Sequence, residues 1–351
     1  MPTFGSLSSR TARSFRAHLS SVPLLLALVM LVATALPRPL TAQGSEQDVH
    51  VKPLPKPDPK PADLPIDPSL KTHTKPMKVD VDLVLVPVTI TDPMNRLVTG
   101  LEKDNFVLYE GKDQQEIRHF SSEDAPISLG VIFDISGSMS NKIEKAKQAV
   151  IEFFKTANPQ DEFFLITFSE RPELLADFTR SVEDIQGRLV YAVPKGRTSL
   201  LDAIYLGMNK MHDAHNSKKA LLIISDGGDN RSRYTEGEIK ASVKEADVQI
   251  YAIGIFDTFA QTDEERLGPA LLSDVTEVTG GRTFTIDTPD ELIDVATKIG
   301  IELRNQYVLG YRPKNPSKDG KWRKIKIKLL PPKGLPPLHV YAKTGYYAPS
   351  E

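Results

Sequence analysis

The sequence predicts an α/β protein in which a doubly wound, mostly parallel sheet is inserted into a small all-β sandwich. Between residues 125 and 306, apolar runs typical of strands alternate with helical patterns, and this alternation favours parallel strands joined by helical crossovers. On either side, residues 79–124 and 307–351 contain strand patterns alone. Each flanking block offers about three strands, which is too few to enclose a core, so we expect the two blocks to pair with each other.

The central region has continuous apolar runs, as strands buried on both faces require. Its predicted strands are Leu129–Phe133, Phe163–Phe168, Ala220–Ile224, Val248–Ile255 and Arg282–Ile286. Helical periodicity fills the gaps at 141–156, 182–191, 199–213, 236–246, 265–278 and 290–304. Leu174–Phe178 is predicted to be a short antiparallel strand at the edge of the sheet.

The flanking blocks show shorter strands separated by turn residues. The predicted strands are Val79–Ile90, Asn105–Glu110 and Glu116–Ser121 before the central region, and Tyr307–Tyr311, Ile325–Leu329 and Leu338–Ala342 after it. In Ile325–Leu329, apolar residues alternate with lysines. Such alternation indicates a sheet with one buried face and one solvated face.

Residues 1–42 are predicted to be a signal peptide. A basic region with three arginines precedes the apolar run 22–36, which is about as long as a signal-peptide core and short for a membrane span. A small residue, Ala42, offers a cleavage site, so we expect an extracytoplasmic protein, periplasmic or secreted. Because Leu40 is bulkier than the residue usual before such a site, an uncleaved inner-membrane anchor formed by 22–36 remains the alternative.

Residues 43–78 are predicted to be a disordered, proline-rich linker. Eight prolines lie between Pro53 and Pro76, mixed with Lys and Asp. A segment with so few apolar residues cannot bury enough surface to offset the entropy that ordering costs.

The overall composition excludes several classes of function. The formal net charge of −2 implies no strongly basic face, so we expect no nucleic-acid partner. The chain has no cysteine, which excludes disulfides and thiolate metal sites.

Three polar segments follow or precede predicted strands at one end of the sheet. They are Asp134-Ile135-Ser136-Gly137-Ser138, the loop 196–200, and Ser225-Asp226-Gly227. Ligands of open α/β sheets bind at the carboxyl ends of the strands. Two carboxylates and three hydroxyls form an all-oxygen set that suits Mg²⁺ or Mn²⁺ better than zinc or copper. The sequence therefore predicts a site for a hard divalent cation.

The ordered set resembles the signature of the von Willebrand factor type A family, which is Asp-x-Ser-x-Ser followed by a distant Thr and a distant Asp. The resemblance covers about 180 residues, with all five positions in order: Asp134, Ser136, Ser138, Thr198 and Asp226. It implies a metal-ion-dependent adhesion site for Mg²⁺, or for Mn²⁺ or Ca²⁺. It further implies that Ser136 and Ser138 are direct ligands and that one coordination position is left for an acidic side chain of a partner.

The flanking blocks resemble more narrowly the von Willebrand-related proteins abundant in acidobacteria. The similarity lies in Val98–Glu110, Gln306–Tyr311 and the closing Gly345-Tyr346-Tyr347. This resemblance implies an architecture and leaves the biochemical function open.

We therefore expect a non-enzymatic, exported module that binds a partner Asp or Glu through the cation. The alternative is a structural or assembly protein of the cell envelope that binds without metal. A serine hydrolase using Ser136 is the third reading, and it requires a histidine within hydrogen-bond reach of that hydroxyl. A membrane tether is expected only if the signal segment stays uncleaved.

Overall fold

The computed structural model describes residues 83–226, 228–256 and 263–350. The predicted signal peptide and linker lie outside the described residues, as do residues 79–82 of the first predicted strand. Within the described ranges, none of the helices combines the length and the apolar character needed to cross a membrane.

The described residues form strands at both ends of the chain and alternate strands and helices between them. The strands are β1 (Val84–Thr91), β2 (Phe106–Glu110), β3 (Asp113–Gln115), β4 (Ile117–Ser121), β5 (Ile127–Asp134), β6 (Glu162–Phe168), β7 (Pro172–Thr179), β8 (Lys218–Ser225), β9 (Gln249–Ile255), β10 (Thr283–Ile286), β11 (Tyr307–Tyr311), β12 (Trp322–Leu329), β13 (His339–Ala342) and β14 (Gly345–Tyr347). The helices are α1 (Ile143–Lys155), α2 (Val182–Leu189), α3 (Leu200–Lys210), α4 (Glu236–Glu245), α5 (Asp263–Glu277) and α6 (Leu292–Arg304).

The central sheet has the strand order β10-β9-β8-β5-β6-β7. All its neighbouring strands are parallel except β7, which runs antiparallel to β6 at the edge, as the sequence predicts. Helices α1, α2 and α6 cover one face and α3, α4 and α5 cover the other. Burial on both faces explains why β5, β6 and β9 contain only buried residues.

The terminal strands form two four-stranded sheets with the orders β13-β1-β11-β4 and β14-β12-β2-β3. In the first sheet β11 lies between β1 and β4, and in the second β12 pairs with β2. One apolar cluster joins the two sheets, with Val88, Leu108, Tyr307 and Ile325 among its members. The fold class predicted from the sequence is therefore confirmed. The domain boundaries at 124/125 and 306/307 stay a prediction.

Two short strands were not predicted. The turn after β2 is confined to Gly111-Lys112, and Asp113–Gln115 pairs with β2. Gly345–Tyr347 is a strand of three residues that pairs with β12. Neither segment has an apolar alternation long enough to stand out, because the register of a neighbouring strand determines the pairing.

A buried polar group fixes the α/β region against the sandwich. The side chain of Gln306, between α6 and β11, donates from Nε2 to Gln249 Oε1 on β9 at 2.8 Å and to Thr89 Oγ1 on β1 at 3.1 Å. All three residues are buried. Because a buried amide without partners costs free energy, this group favours one relative position of the two parts.

A buried ion pair adds to the same junction. Arg282 Nη1 lies 2.8 Å from Glu302 Oε1, and both side chains are almost inaccessible to solvent. The guanidinium also lies over the ring of Tyr341 on β13, 4.4 Å from its centroid. Arg282 therefore connects β10, α6 and the sandwich through one side chain.

Helix α6 packs closely on α1 at Gly300. A Cβ atom at this position would lie 2.1 Å from Thr156 Oγ1 and 2.9 Å from Thr156 Cβ. Glycine is therefore required here by the approach of the two helices. Gly187 in α2 is different, because a Cβ atom there would meet nothing within 4 Å.

We expect Gly300→Ala and Gly187→Ala to change stability in opposite directions. Alanine is a better helix former than glycine by about 0.5–1 kcal/mol, so Gly187→Ala should stabilise the protein. At Gly300 the clash should add an overpacking cost of about 1–3 kcal/mol. Denaturant unfolding of both variants measures the difference. Equal stabilisation in the two would contradict the close packing of α6 on α1.

Candidate metal centre

The structure places the three predicted polar segments at one edge of the central sheet. β5 and β8 are parallel neighbours, Asp134 is the last residue of β5, and Asp226 directly follows β8. Thr198 lies in the loop that leads into α3. The carboxyl ends of parallel neighbours meet at the same edge, which explains why residues far apart in sequence converge here.

Four of the five predicted residues are joined by direct hydrogen bonds. The amide of Ser136 donates to Asp134 Oδ1 at 2.7 Å. The hydroxyls of Ser136 and Ser138 lie 3.0 Å apart, and Ser138 Oγ donates to Asp226 Oδ1 at 2.8 Å. Asp134, Ser136 and Asp226 are buried, whereas Ser138 is exposed. The oxygens therefore form one continuous cluster with an opening at Ser138.

Thr198 is held beside this cluster through backbone contacts. The amide of Gly137 donates to Gly196 O at 3.0 Å, which ties the Thr198 loop to the Asp134–Ser138 loop. Gly196 has a φ of +77°, a left-handed conformation that favours glycine. Asn230 secures the other side, because its Oδ1 accepts from Thr198 N at 3.0 Å and its own amide donates to Thr198 O at 3.1 Å.

Burial and a neighbouring carboxylate disfavour the charged form of Asp134. Burial, and then the nearby charge of Asp226, raise the pKa of Asp134 from 3.8 to about 6. The Ser225 hydroxyl, which donates to Asp134 Oδ2 at 2.6 Å, and the hydrogen bonds from Ser136 act in the opposite direction. Burial and the neighbouring charge outweigh these hydrogen bonds, so the pKa of Asp134 stays above its usual range.

A lysine supplies positive charge on the other side of the cluster. Lys142 Nζ lies 2.8 Å from Asp226 Oδ2, and its side chain is only 16% exposed. Lys142 immediately precedes α1, where a positive charge opposes the helix dipole. A lysine in this unfavourable position could have indicated from the sequence that it pairs with a carboxylate of the site, but we did not predict that role.

The loop after β8 contains two further residues that support the site, Asp229 and Asn230. Asn230 holds Thr198, as described above. Asp229 accepts hydrogen bonds from the amides of Leu201 at 2.9 Å and Ser232 at 3.0 Å. It therefore fastens the first turn of α3 to the β8 loop, and both residues position the Thr198 segment.

The residues present fit a hard divalent cation. Carboxylate and hydroxyl oxygens converge without competing sulfur or imidazole ligands, which is the donor set that Mg²⁺ and Mn²⁺ prefer. A cation between Asp134 and Asp226 would also offset the repulsion that raises the Asp134 pKa. Binding would require Asp226 to exchange its contact with the Lys142 ammonium, at least in part, for the cation.

A serine hydrolase that uses Ser136 would require a histidine within hydrogen-bond reach of the Ser136 hydroxyl. In the described part of the chain, the side-chain partner of the Ser136 hydroxyl is the hydroxyl of Ser138, at 3.0 Å. His215, in contrast, pairs through Nδ1 with Glu162 Oε2 at 2.9 Å. No described contact gives Ser136 the base that a nucleophilic hydroxyl requires.

Comparison with known proteins identifies the domain. The model of the von Willebrand factor type A domain matches residues 130–228, a range that contains all five residues of the candidate centre. The chain is 27% identical over 146 residues to the inter-alpha-trypsin inhibitor heavy chain 4 of Mus musculus, a match that covers 37% of this chain and 16% of that protein. Residues 130–228 therefore belong to a von Willebrand factor type A domain. Such domains often bind divalent metals and commonly mediate protein–protein interaction or adhesion, typically without enzymatic activity.

Solved structures with a similar fold are distant in sequence. A von Willebrand factor type A protein from Catenulispora acidiphila is 12% identical, with a TM-score of 0.45 and coverage of 74% of this chain and 73% of that one. The von Willebrand factor domain of the pilus tip protein Mfa5 from Porphyromonas gingivalis is 12% identical, with a TM-score of 0.41 and coverage of 51% and 97%. Similarities this distant do not identify a function.

We expect Asp134→Asn to stabilise the metal-free protein at neutral pH. Since the pKa of Asp134 rises from 3.8 unfolded to about 6 folded, the native state favours the protonated form. The stability that protonated Asp134 gives the folded state is complete below pH 4 and is lost as the pH rises through about 6. The neutral amide of the variant does not ionise, so the variant keeps this stability, which amounts to roughly 2–3 kcal/mol at pH 7.

The measurement is denaturant unfolding of both proteins in chelator between pH 4 and pH 7.5. The two stabilities should be similar at pH 4 and should diverge up to about pH 6, with the variant more stable. A difference that does not change with pH would show that Asp134 ionises as an ordinary carboxyl.

Proposed function

We propose that this protein is an extracytoplasmic, metal-dependent module that binds another protein through a cation held by Asp134, Ser136, Ser138, Thr198 and Asp226. The observation that carries the proposal is the continuous oxygen cluster at the carboxyl ends of β5 and β8. By resemblance to the family, Ser136 and Ser138 are the direct ligands. Asp134 and Asp226 bind directly or through water, and Thr198 is the ligand that engages when a partner binds.

The partner would supply an Asp or Glu to the remaining coordination position. A cation with only two carboxylates in its site keeps part of its positive charge unneutralised, and Mg²⁺ gives up its waters reluctantly. A carboxylate of the partner is therefore a better incoming ligand than a neutral group. The exposed position of Ser138 leaves the cluster open on the side from which such a group would arrive.

A second candidate function has its own observation in support. Lys142 neutralises Asp226 at 2.8 Å, so a module without metal would also have a partly balanced site. This ion pair favours the alternative of a structural or assembly protein of the cell envelope that binds without a cation. Cation binding and partner binding therefore have to be measured separately.

Ser138→Ala should weaken Mn²⁺ binding, and Ser140→Ala should not. Both serines are exposed and lie in the same loop, but Ser138 donates to the Asp226 carboxylate, whereas Ser140 donates to the backbone carbonyl of Gly137. Loss of one ligand should reduce the affinity by roughly tenfold or more, which corresponds to about 1.4 kcal/mol. Calorimetric titration with Mn²⁺ gives both affinities, and equal values would reject the assignment of Ser138.

Partner binding should depend on Mg²⁺ and on Thr198. Proteins retained from a cell-envelope extract by the immobilised chain should be lost in excess chelator and with Thr198→Ala, since the coordination that accepts the partner is then incomplete. Thr297→Ala, at a half-buried threonine of α6 away from the cluster, should retain them. Equal retention of the same protein in all conditions would show that recognition happens elsewhere and would favour the metal-independent alternative.

A further inference from the structure

Three exposed apolar side chains lie in the segment that leads into the Thr198 loop of the candidate metal centre. We call residues 190–197 the rim segment; it connects the end of α2 to the Thr198 loop. Tyr191 is 82% exposed, Val190 65% and Val193 64%. Exposure of apolar side chains to water is unfavourable, and exposed apolar surface often marks an interaction site.

The backbone of the rim segment is held firmly while these side chains point outwards. Ala192 is buried in the core cluster that also contains Leu189, and its amide donates to Leu189 O at 3.1 Å. Lys147 Nζ on α1 lies 3.5 Å from Val190 O. Because the backbone of the segment is already ordered, partner binding costs little further conformational entropy there. The apolar side chains are therefore presented in a fixed arrangement before binding.

The same segment is joined directly to the metal-centre loop. The amide of Lys195 donates to Ile135 O at 2.8 Å, and Gly196 O accepts from the amide of Gly137 at 3.0 Å. Val193 is therefore two residues from a backbone contact with the loop that contains Asp134 and Ser136. A partner that reaches the cation would meet the apolar rim at the same time.

The rim segment also carries positive charge. Lys195 and Arg197 are exposed, and neither forms a salt bridge within the described part of the chain. They flank Gly196, where an added Cβ atom would lie 3.4 Å from Oε1 of the exposed Glu170, so one carboxylate offsets part of their charge. A cation bound between Asp134 and Asp226 would add positive charge at this edge of the domain.

We propose that the rim segment is the specificity surface of the metal centre, and that it fits a partner segment in which the metal-binding acid lies between apolar side chains and is followed by a second acid. The inference rests on the proposed function for the cation. Tyr191 and Val193 contact the apolar side chains of the partner, and Lys195 and Arg197 pair with its second carboxylate. Aromatic residues that become fully buried commonly dominate the affinity of such contacts.

The test uses two short fluorescent peptides and the full chain loaded with Mn²⁺. One peptide has an aspartate between two leucines followed by a glutamate; in the other, serines replace the leucines. Fluorescence anisotropy should show that the leucine peptide binds at least roughly tenfold more tightly. Tyr191→Ala together with Val193→Ser should remove this preference without changing Mn²⁺ affinity, whereas Met94→Ala, an exposed apolar residue in a distant turn, should preserve it.

Arg197→Gln tests the charged part of the surface. It should weaken binding of the leucine peptide and should make a version with glutamine in place of the second acid bind as well as the original. Metal-dependent binding of both the leucine and serine peptides with equal affinity would overturn the role of the rim segment but leave the cation function intact. Absence of binding to either peptide would overturn the role of the rim segment, and a lack of Mn²⁺ binding in the calorimetric titration would overturn the cation function as well.

Discussion

Two carboxylates buried at neighbouring strand ends are the constraint on which the rest of this site depends. Asp134 is the last residue of β5 and Asp226 directly follows β8; the two strands are paired along their length, so the sheet itself brings the charges together. Removing them from water is costly unless hydrogen bonds and counter-charges compensate. The hydroxyls of Ser136, Ser138 and Ser225 and the ammonium of Lys142 provide that compensation. The polar residues around Asp134 and Asp226 are thus explained by the free-energy cost of burying these two carboxylates.

The sandwich and the α/β region meet through groups that tolerate little movement. Gln306 bonds to strands of both parts, and Arg282 connects β10 with α6 and β13. Rotation of one part against the other would leave these buried groups without partners, which is costly. Helix α6, which leads into β11 of the sandwich, is itself packed closely on α1 at Gly300. The junction therefore favours rigid presentation of the site over a hinge.

The central sheet could be predicted because burial on both faces leaves a strong signal. An apolar run such as Ala220–Ile224 is expected in a strand that is buried on both faces. The antiparallel edge strand β7 was predicted because it comes shortly after β6 in the sequence. The short strands β3 and β14 could not be predicted, since three residues carry no period and pairing with β2 and β12 defines them.

The candidate ligands could be found because their types and order are unusual, but their supports could not. Lys142 reaches Asp226 from the start of α1, and Asn230 reaches Thr198 from another loop. Both contacts join residues that sequence spacing does not relate. The exposure of Tyr191 and Val193 was not predicted either. Tyr191 lies in the helical pattern predicted for 182–191 and Val193 in the loop that follows, and an apolar residue near a helix end is usually assigned to the core.

The pairing of the first strand with the last ones has a consequence for how the chain matures. β1 lies between β11 and β13, so both of its hydrogen-bonding edges pair with residues that are synthesised much later than β1 itself. Contacts this distant in sequence form late and slow the folding of a chain. Until they form, a strand with the buried residues Val86, Val88 and Ile90 stays open to pairing with other chains. A product that stops before residue 307 would leave β1 without either neighbour and would also remove the partners of β4 and β2, which are β11 and β12. Proteases and chaperones could recognise such a product by these open strand edges.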